Sequence, residues 1–223
     1  MILLILPNIY AQGDDTSTEI EVKLIVESKY EFHNRFGEYL EILQYQIKTN
    51  FDKLGKVTSI IHYGGEGNLQ RKDIYHYNND GFLIELSSYG PDGLLAWKNI
   101  FTYNEHNKIT QEASYDPDGS LDWEDKYKYD RNKNLKEWIL IDKNGKLVNN
   151  YEGIAKKSYQ YNGKNNIIGI EMKNDQGNIV KKEIFQYGKD ERLLKSVKFY
   201  VKFIFGKIHE IPIEKTTFQY ERW

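Results

Sequence analysis

The chain of 223 residues contains no cysteine, only four prolines and two methionines, and no large excess of charge of either sign. The absence of cysteine excludes disulfide bonds, a cysteine nucleophile and thiolate metal ligands. The 31 basic and 33 acidic residues are interspersed and leave a net charge of −2, which argues against a general nucleic-acid-binding protein. No apolar run approaches the roughly 20 residues that a transmembrane helix needs, so no membrane span is predicted.

What the chain has instead is a repeated segment of 26 residues. Three consecutive copies begin at Ile74, Ile100 and Lys126. A large aromatic residue near the start of each copy recurs at this step, and the register continues beyond an insertion. These anchor positions are Phe51, Tyr77, Tyr103, Tyr129, Tyr161, Tyr187 and Tyr220. A fixed period of this length indicates a repeat architecture.

Within one repeat, polar and apolar residues alternate as they do in a β-strand. In residues 119–130, Leu121, Trp123, Tyr127 and Tyr129 share one parity, and the opposite parity is polar. Asp125 is the exception, since it has the parity of the apolar residues. Strict period-two alternation predicts a strand with one apolar and one polar face.

Two turn patterns separate the predicted strands. Residues 90–93 read Gly-Pro-Asp-Gly and residues 116–119 read Asp-Pro-Asp-Gly, in which proline presets the first corner and glycine takes the left-handed position. The second turn of each unit lies at residues 78–81, 104–107 and 130–134. In the later copies asparagine replaces glycine. This is possible because asparagine also adopts left-handed backbone geometry.

Each unit is therefore predicted to form two antiparallel strands, and successive units to form an up-and-down meander. The fold class is all-β, with about a dozen strands between Lys48 and the C-terminus. A sheet this wide normally curls or closes because strand twist accumulates, so a curled or partly closed sheet is expected.

The predicted domain organisation has two parts. Residues 1–18 combine a short apolar run, Ile2–Leu6, with a polar stretch, and are interpreted as a signal-peptide remnant with cleavage after Ala11, followed by a disordered segment. Residues 19–223 are predicted to form a single β-repeat domain. It comprises a degenerate first unit at 19–47, regular repeats at 48–198 and an irregular cap at 199–223. The expected location is secreted, periplasmic or associated with the outer membrane.

The motif Tyr-x-Tyr-Asp-x-x-x-Asn-Leu at Tyr127–Leu135, followed by Asp-x-x-Gly-x-Leu at Asp142–Leu147, resembles the tyrosine–aspartate (YD) repeats of Rhs-type bacterial proteins. The resemblance covers about residues 48–223 and implies a β-rich, exported or envelope-associated protein. Large members of that family build hollow shells around toxins. This chain is too short to enclose a cargo, its period is longer, and it has no recognisable self-cleaving core or toxin tail. The resemblance supplies no catalytic residues.

The most suggestive side chains for ligand binding are Trp97 and Trp123. Each lies four residues after a turn glycine, so the two indoles should occupy equivalent places on one face. Such rings can form a sugar-binding platform, or they can simply belong to the packed aromatic stripe. Asn149 and Lys181 hold the corresponding positions further along, so the row of indoles ends after two units.

No catalytic, cofactor-binding or metal-binding residues are predicted. The five histidines form no paired ligand motif, and residues 116–124 lack the ligand spacing of a calcium loop. No phosphate-binding glycine motif or nucleophile elbow is present. Glu124 and Asp125 should point to opposite faces of their strand, although carboxylates on neighbouring strands could meet.

These observations favour a non-enzymatic, exported β-repeat protein that acts as a structural or binding module at the bacterial envelope. The alternatives are a carbohydrate-binding module that uses Trp97 and Trp123, and a hydrolase with a carboxylate pair in a groove of the sheet. No cofactor is expected. A glycan and an envelope protein are the partner classes considered.

Overall fold

The computed structural model describes residues 22–221, and the predicted signal-peptide remnant at 1–18 lies outside them. In the described part of the chain, all regular secondary structure is β. The strands are β1 (Leu24–Arg35), β2 (Glu38–Phe51), β3 (Val57–Gly64), β4 (Leu69–Tyr77), β5 (Leu83–Tyr89), β6 (Leu95–Tyr103), β7 (Ile109–Tyr115), β8 (Leu121–Tyr129), β9 (Leu135–Asp142), β10 (Lys156–Tyr161), β11 (Ile167–Lys173), β12 (Ile179–Tyr187), β13 (Leu193–Ile204) and β14 (Lys207–Thr217).

The strands form one 14-stranded antiparallel sheet in which the spatial order equals the chain order. The predicted all-β, up-and-down meander is therefore confirmed, with twelve strands, β3 to β14, after Lys48. The predicted partial closure is not seen. Among residues 22–221 the order is linear, with β1 at one end and β14 at the other.

The chain divides into two compact units, one ending at Lys72 and the other beginning at Asp73. In the first unit, β1 and β2 form a long hairpin of 12 and 14 residues. Among residues 22–72, Ile60 on β3 is the buried apolar residue, with 3% of its surface exposed. The region predicted as a degenerate first unit thus supplies β1 and most of β2.

The second unit contains the regular repeats, and its turns follow the predicted geometry at most positions. Gly93 and Gly119 have φ values of 78° and 83°, in the left-handed region that glycine enters at little cost. Asn107 takes the equivalent place in the next turn with φ 58°. In the turn at 130–134, however, the left-handed residue is Lys133, with φ 65°. The asparagine that was expected to replace glycine there is one residue out of position.

The tyrosine and the aspartate or asparagine of each repeat have separate structural roles. The hydroxyl groups of Tyr103, Tyr129 and Tyr161 donate hydrogen bonds of 2.7–2.8 Å to backbone carbonyls of the preceding repeat. The next residue starts the turn: Asp130 Oδ1 accepts backbone N–H bonds from Asn132 and Asn134, both at 2.9 Å. The tyrosine therefore joins successive repeats, and the acidic or amide side chain closes the turn.

The insertion between β9 and β10 adds a further copy of the same turn. Asn150 Oδ1 accepts N–H bonds from Glu152 and Ile154, both at 3.0 Å. The insertion also carries the most deeply buried apolar residues of this unit, since Ile154 and Ala155 are both 0% exposed. Within the predicted irregular cap at 199–223, residues 199–204 belong to β13 and residues 207–217 form β14.

Candidate ligand-binding face

One side of the second unit carries a band of aromatic side chains, here called the aromatic face. Directly paired residues on antiparallel strands share a face, as do residues two apart on one strand. The register pairs Tyr127 with Trp138 and Trp138 with Lys157. Applied from β6 to β10, the same rule places on this face, among other rings, those of Trp97, Phe101, Trp123, Tyr127, Trp138 and Tyr159.

Trp97 and Trp123 both lie on the aromatic face, on β6 and β8, and both are half-buried. Trp97 is paired with Ser88, which is fully buried, and Trp123 is paired with Ser114. Small serine side chains next to the indoles leave the rings without a bulky neighbour on that strand. The two indoles therefore remain partly accessible.

A pair of carboxyl groups lies on the same face, close to these indoles. Glu112 on β7 is directly paired with Asp125 on β8. Burial, followed by the negative charge of Glu112, raises the pKa of Asp125 from its ordinary 3.8 to about 7. Burial also raises the pKa of Glu112, although a hydrogen bond from Asn99 opposes the shift. Near neutral pH the pair is thus only partly ionised.

Two buried acceptor oxygens, one on Asp125 itself and one on the neighbouring Asn99, have no hydrogen bond among residues 22–221. Asn99 donates through Nδ2 to Glu112 Oε1 at 2.8 Å, but its own Oδ1 is buried and has no partner among residues 22–221. Asp125 Oδ1 is in the same condition in that part of the chain. Asn99 is 8% exposed. An unsatisfied buried acceptor costs about 1–3 kcal/mol, so this group of polar side chains lowers the stability of the fold.

A cation completes the aromatic face. Lys157 Nζ lies 5.1 Å from the centre of the Trp138 ring, within the range of a cation–π interaction. A hydrogen bond with the Trp138 indole and, to a smaller extent, the charge of Lys157 lower the pKa of Asp125, but less than burial raises it. The pKa of the Tyr127 hydroxyl is raised by burial and by the nearby carboxyl groups, so at neutral pH it is a neutral donor.

A cationic groove lies at the end of the aromatic face, between the turns at 104–108 and 130–134. It encloses about 490 Å³, and Tyr127 and Tyr129 contribute to its wall. Its charged lining consists of Lys108, Lys128, Arg131, Lys133 and one acid, Asp130. Lys128 Nζ donates to Glu137 Oε1 at 2.8 Å, so its charge is partly neutralised. A second groove of about 290 Å³ lies between the turns at 162–166 and 188–192. There, too, the positive charge is partly neutralised, because Glu191 accepts a 2.6 Å hydrogen bond from Lys164.

The structure therefore joins residues that sequence reasoning kept apart. Glu124 and Asp125 do point to opposite faces, as expected: Glu124 is paired with Ala113 and Ile141, and lies 3.3 Å from Lys126 Nζ. Glu112 and Asn99 carried no sequence signal, because their relation to Asp125 depends on the register of β6, β7 and β8. The one available signal was Asp125 itself, the acidic exception on an apolar parity.

Among the described residues, no group of three or more histidine, aspartate or glutamate side chains is arranged to hold a metal ion. No helix among residues 22–221 could cross a membrane.

No family model matches this chain, and no curated protein is similar to it in sequence. Among solved structures, a porin-like protein from Bacteroides uniformis is similar over 85% of this chain and 83% of its own, with 10% identity and a TM-score of 0.48. TcdB2–TccC3, an Rhs-type YD-repeat toxin complex, matches 86% of this chain with 12% of its own length, at 12% identity and a TM-score of 0.38. A protein of unknown function from Bacteroides fragilis matches 70% of this chain and 96% of its own, at 12% identity and a TM-score of 0.26. Likeness of this degree establishes neither family nor function, and the YD resemblance remains a resemblance.

Proposed function

We propose that this protein is a non-enzymatic binding module of the bacterial envelope and that its aromatic face binds a glycan. One observation carries the proposal. The partly accessible Trp97 and Trp123 lie on one face of the sheet, and the half-buried carboxyl pair Glu112 and Asp125 lies on the same face beside them.

A saccharide matches this combination of groups. The C–H faces of a pyranose ring pack against a flat indole, and the hydroxyl groups around the ring edge donate to acceptors beside it. Trp97 and Trp123 supply two such ring surfaces, one on each side of β7. Glu112 and Asp125, both half-buried on the same face, supply carboxyl oxygens beside these rings.

A purely packing role for the aromatic face explains less. Strand alternation accounts for half-buried rings, but it does not account for a carboxyl pair placed on the apolar parity beside the two indoles. An envelope protein could also supply donors. We favour a glycan because the acceptors lie between partly accessible indoles and not beneath a broad apolar patch.

The cationic groove extends the proposal towards acidic saccharides. Tyr127 belongs both to the aromatic face and to the wall of the groove, so a chain of sugars lying across the face would reach Arg131 and Lys133. A uronic acid or phosphate group at that point would gain from their positive charge. Neutral glycans would lack this contribution.

Location at the envelope is part of the proposal and is supported by the sequence alone, through the apolar run at residues 2–6 and the polar stretch that follows it. Cell fractionation of the natural host, with detection of this protein in periplasmic, membrane and cytosolic fractions, tests it. Recovery only in the cytosol would contradict the envelope role.

Intrinsic fluorescence tests glycan binding directly. Titrating the protein with neutral and acidic bacterial polysaccharides should change the tryptophan emission, and Trp123→Ala should weaken binding by roughly tenfold, the equivalent of about 1.4 kcal/mol. Tyr151→Ala is a matched control, since Tyr151 is 79% exposed and lies on the insertion. If no glycan in the panel alters emission or if both variants bind equally, the proposal is wrong.

The same samples test the hydrolase alternative, for which Glu112 and Asp125 are the carboxyl pair. Release of reducing ends that is abolished by Glu112→Gln would show an enzyme. Binding without release would support the module proposed here.

A further inference from the structure

The last hairpin of the chain extends beyond its neighbouring strand. β12 pairs with β13 only as far as Tyr200, opposite Lys181, whereas β13 continues to Ile204 and pairs there with β14. Four residues of β13 therefore project past the end of this pairing, a length of about 13 Å. The tip of this hairpin, residues 202–208, is here called the terminal tip.

The terminal tip presents large apolar side chains to solvent. Phe205 is 100% exposed, Phe203 is 75% exposed and Ile208 is 61% exposed. The rings do not pack on the sheet. Exposed aromatic residues grouped on a projecting hairpin are typical of a surface that contacts another phase or molecule.

The backbone at the terminal tip is strained at Phe205, which has a left-handed conformation. Phe205 has φ 49° and Gly206 has φ 78°, so both residues of the turn are in the left-handed region. Two-residue hairpin turns of this kind strongly prefer Asn-Gly or Asp-Gly. A phenylalanine there costs about 1–2 kcal/mol and gains no packing inside the chain, and strain of this kind is a reason to look for function.

The charge of the terminal tip identifies the kind of partner. Lys202 and Lys207 flank the apolar residues, and no acidic residue occurs between positions 202 and 209. Glu210, the next acid along, lies 2.7 Å from Lys182 Nζ. Aromatic residues flanked by lysines are the pattern of an anionic lipid interface, where rings enter the headgroup region and ammonium groups pair with phosphates. A second copy of the same tip would bring like charges together.

The first hairpin offers a natural comparison. Its turn is also Phe-Gly: Phe36 has φ 56°, Gly37 has φ 89° and Phe36 is 99% exposed. The charge around it differs: Arg35 precedes Phe36, but Glu38 follows Gly37, and Glu31 and Glu41 lie further along the two strands. Carboxylates oppose approach to an anionic surface, so an exposed phenylalanine alone does not make the first hairpin equivalent.

We propose that the terminal tip binds the surface of an anionic lipid bilayer by inserting Phe203 and Phe205 into the interface, with Lys202 and Lys207 paired to lipid phosphates. The surface is separate from the aromatic face, so the protein would bind lipid whether or not it binds a glycan.

Cosedimentation with vesicles tests the proposal. The wild-type protein should bind vesicles of phosphatidylcholine with about 30% phosphatidylglycerol, and bind pure phosphatidylcholine at least tenfold more weakly. Phe205→Asn should lower binding to the anionic vesicles by tenfold or more. The same change supplies the preferred Asn-Gly turn, so thermal unfolding of this variant should occur at an equal or higher temperature. Loss of binding could then not be attributed to misfolding.

Phe36→Asn is the matched control, because it makes the same change in a fully exposed Phe-Gly turn. It should leave vesicle binding unchanged, whereas Lys202→Gln combined with Lys207→Gln should remove most of the preference for anionic lipid. The proposal is overturned if the wild-type protein does not bind anionic vesicles, if Phe205→Asn binds as the wild type does, or if Phe36→Asn causes an equal loss. Self-association that depends on Phe205 without vesicle binding would also overturn it, in favour of a second copy of the chain.

Discussion

Asp125 should make the stability of this protein depend on pH in a specific way. Its pKa is about 7 in the folded protein and 3.8 ordinarily, so the folded state holds a proton that the unfolded state releases. The folded state is therefore favoured most below pH 3.8, and this contribution is lost as the pH rises through 7. Replacing Asp125 with asparagine keeps the size and shape of the side chain and removes the ionisation.

The size of the effect follows from the pKa difference. One pKa unit corresponds to about 1.4 kcal/mol, so the full difference would amount to about 4 kcal/mol above pH 7. Asp125 is only partly buried, and solvent screening reduces the interaction of partly exposed charges. We expect Asp125→Asn to be more stable than the wild type by about 2 kcal/mol at pH 8 and close to it at pH 4.

Urea unfolding followed by circular dichroism at pH 4, 5, 6, 7 and 8 measures this difference directly. The difference in free energy of unfolding between the two proteins should grow between pH 4 and 7 and stay constant above pH 7. Asp122→Asn removes an exposed carboxyl group from the same strand and is the control for the substitution itself. If the stability difference between Asp125→Asn and the wild type does not depend on pH, or grows as the pH falls, the burial of this carboxyl group is refuted.

Three further changes test the repeat geometry, each by the free energy of unfolding at neutral pH. Tyr129→Phe removes the 2.7 Å bond to the carbonyl of Ile109 and should cost about 1 kcal/mol; a neutral effect would mean that this bond does not join the repeats. Lys133→Gly relieves the left-handed backbone at φ 65° and should stabilise by about 0.5–1 kcal/mol, whereas a loss of stability would contradict the turn assignment. Ile154→Val removes one methylene from a fully buried site and should cost about 0.5–1.5 kcal/mol; no cost would show that the insertion is not packed as described.

Much of the fold could be predicted because its causes are local. Alternation within residues 119–130 is a property of one strand, and the Pro-Asp-Gly turn is a property of four consecutive residues. Because these causes act over only a few residues, one prediction about a turn was wrong. The turn at 130–134 contains two asparagines, but Lys133 occupies the left-handed position, because the start of the turn is set by the N–H bonds to Asp130.

Trp97 and Trp123 were recognised from their spacing, and the structure places both on the aromatic face. Glu112 and Asn99 were not recognised. Neither is unusual in its own strand, and both acquire their significance from residues 13 positions away on the neighbouring strand, Asp125 for Glu112 and Glu112 for Asn99. Contacts between residues so far apart in the sequence cannot be predicted from a pattern that spans only a few residues.

The sequence by itself determined the repeat, the strand alternation, the turns and the all-β meander, since each follows from residue chemistry within one or two turns of chain. Only the tertiary structure decided the register between strands and the open order of the sheet. Register brought Asp125 beside Glu112 and left two acceptors buried without partners. It also ended the β12–β13 pairing at Tyr200, so that the terminal tip projects with Phe205 exposed. These features depend on hydrogen bonding and burial summed over several strands, which no single segment of the chain encodes.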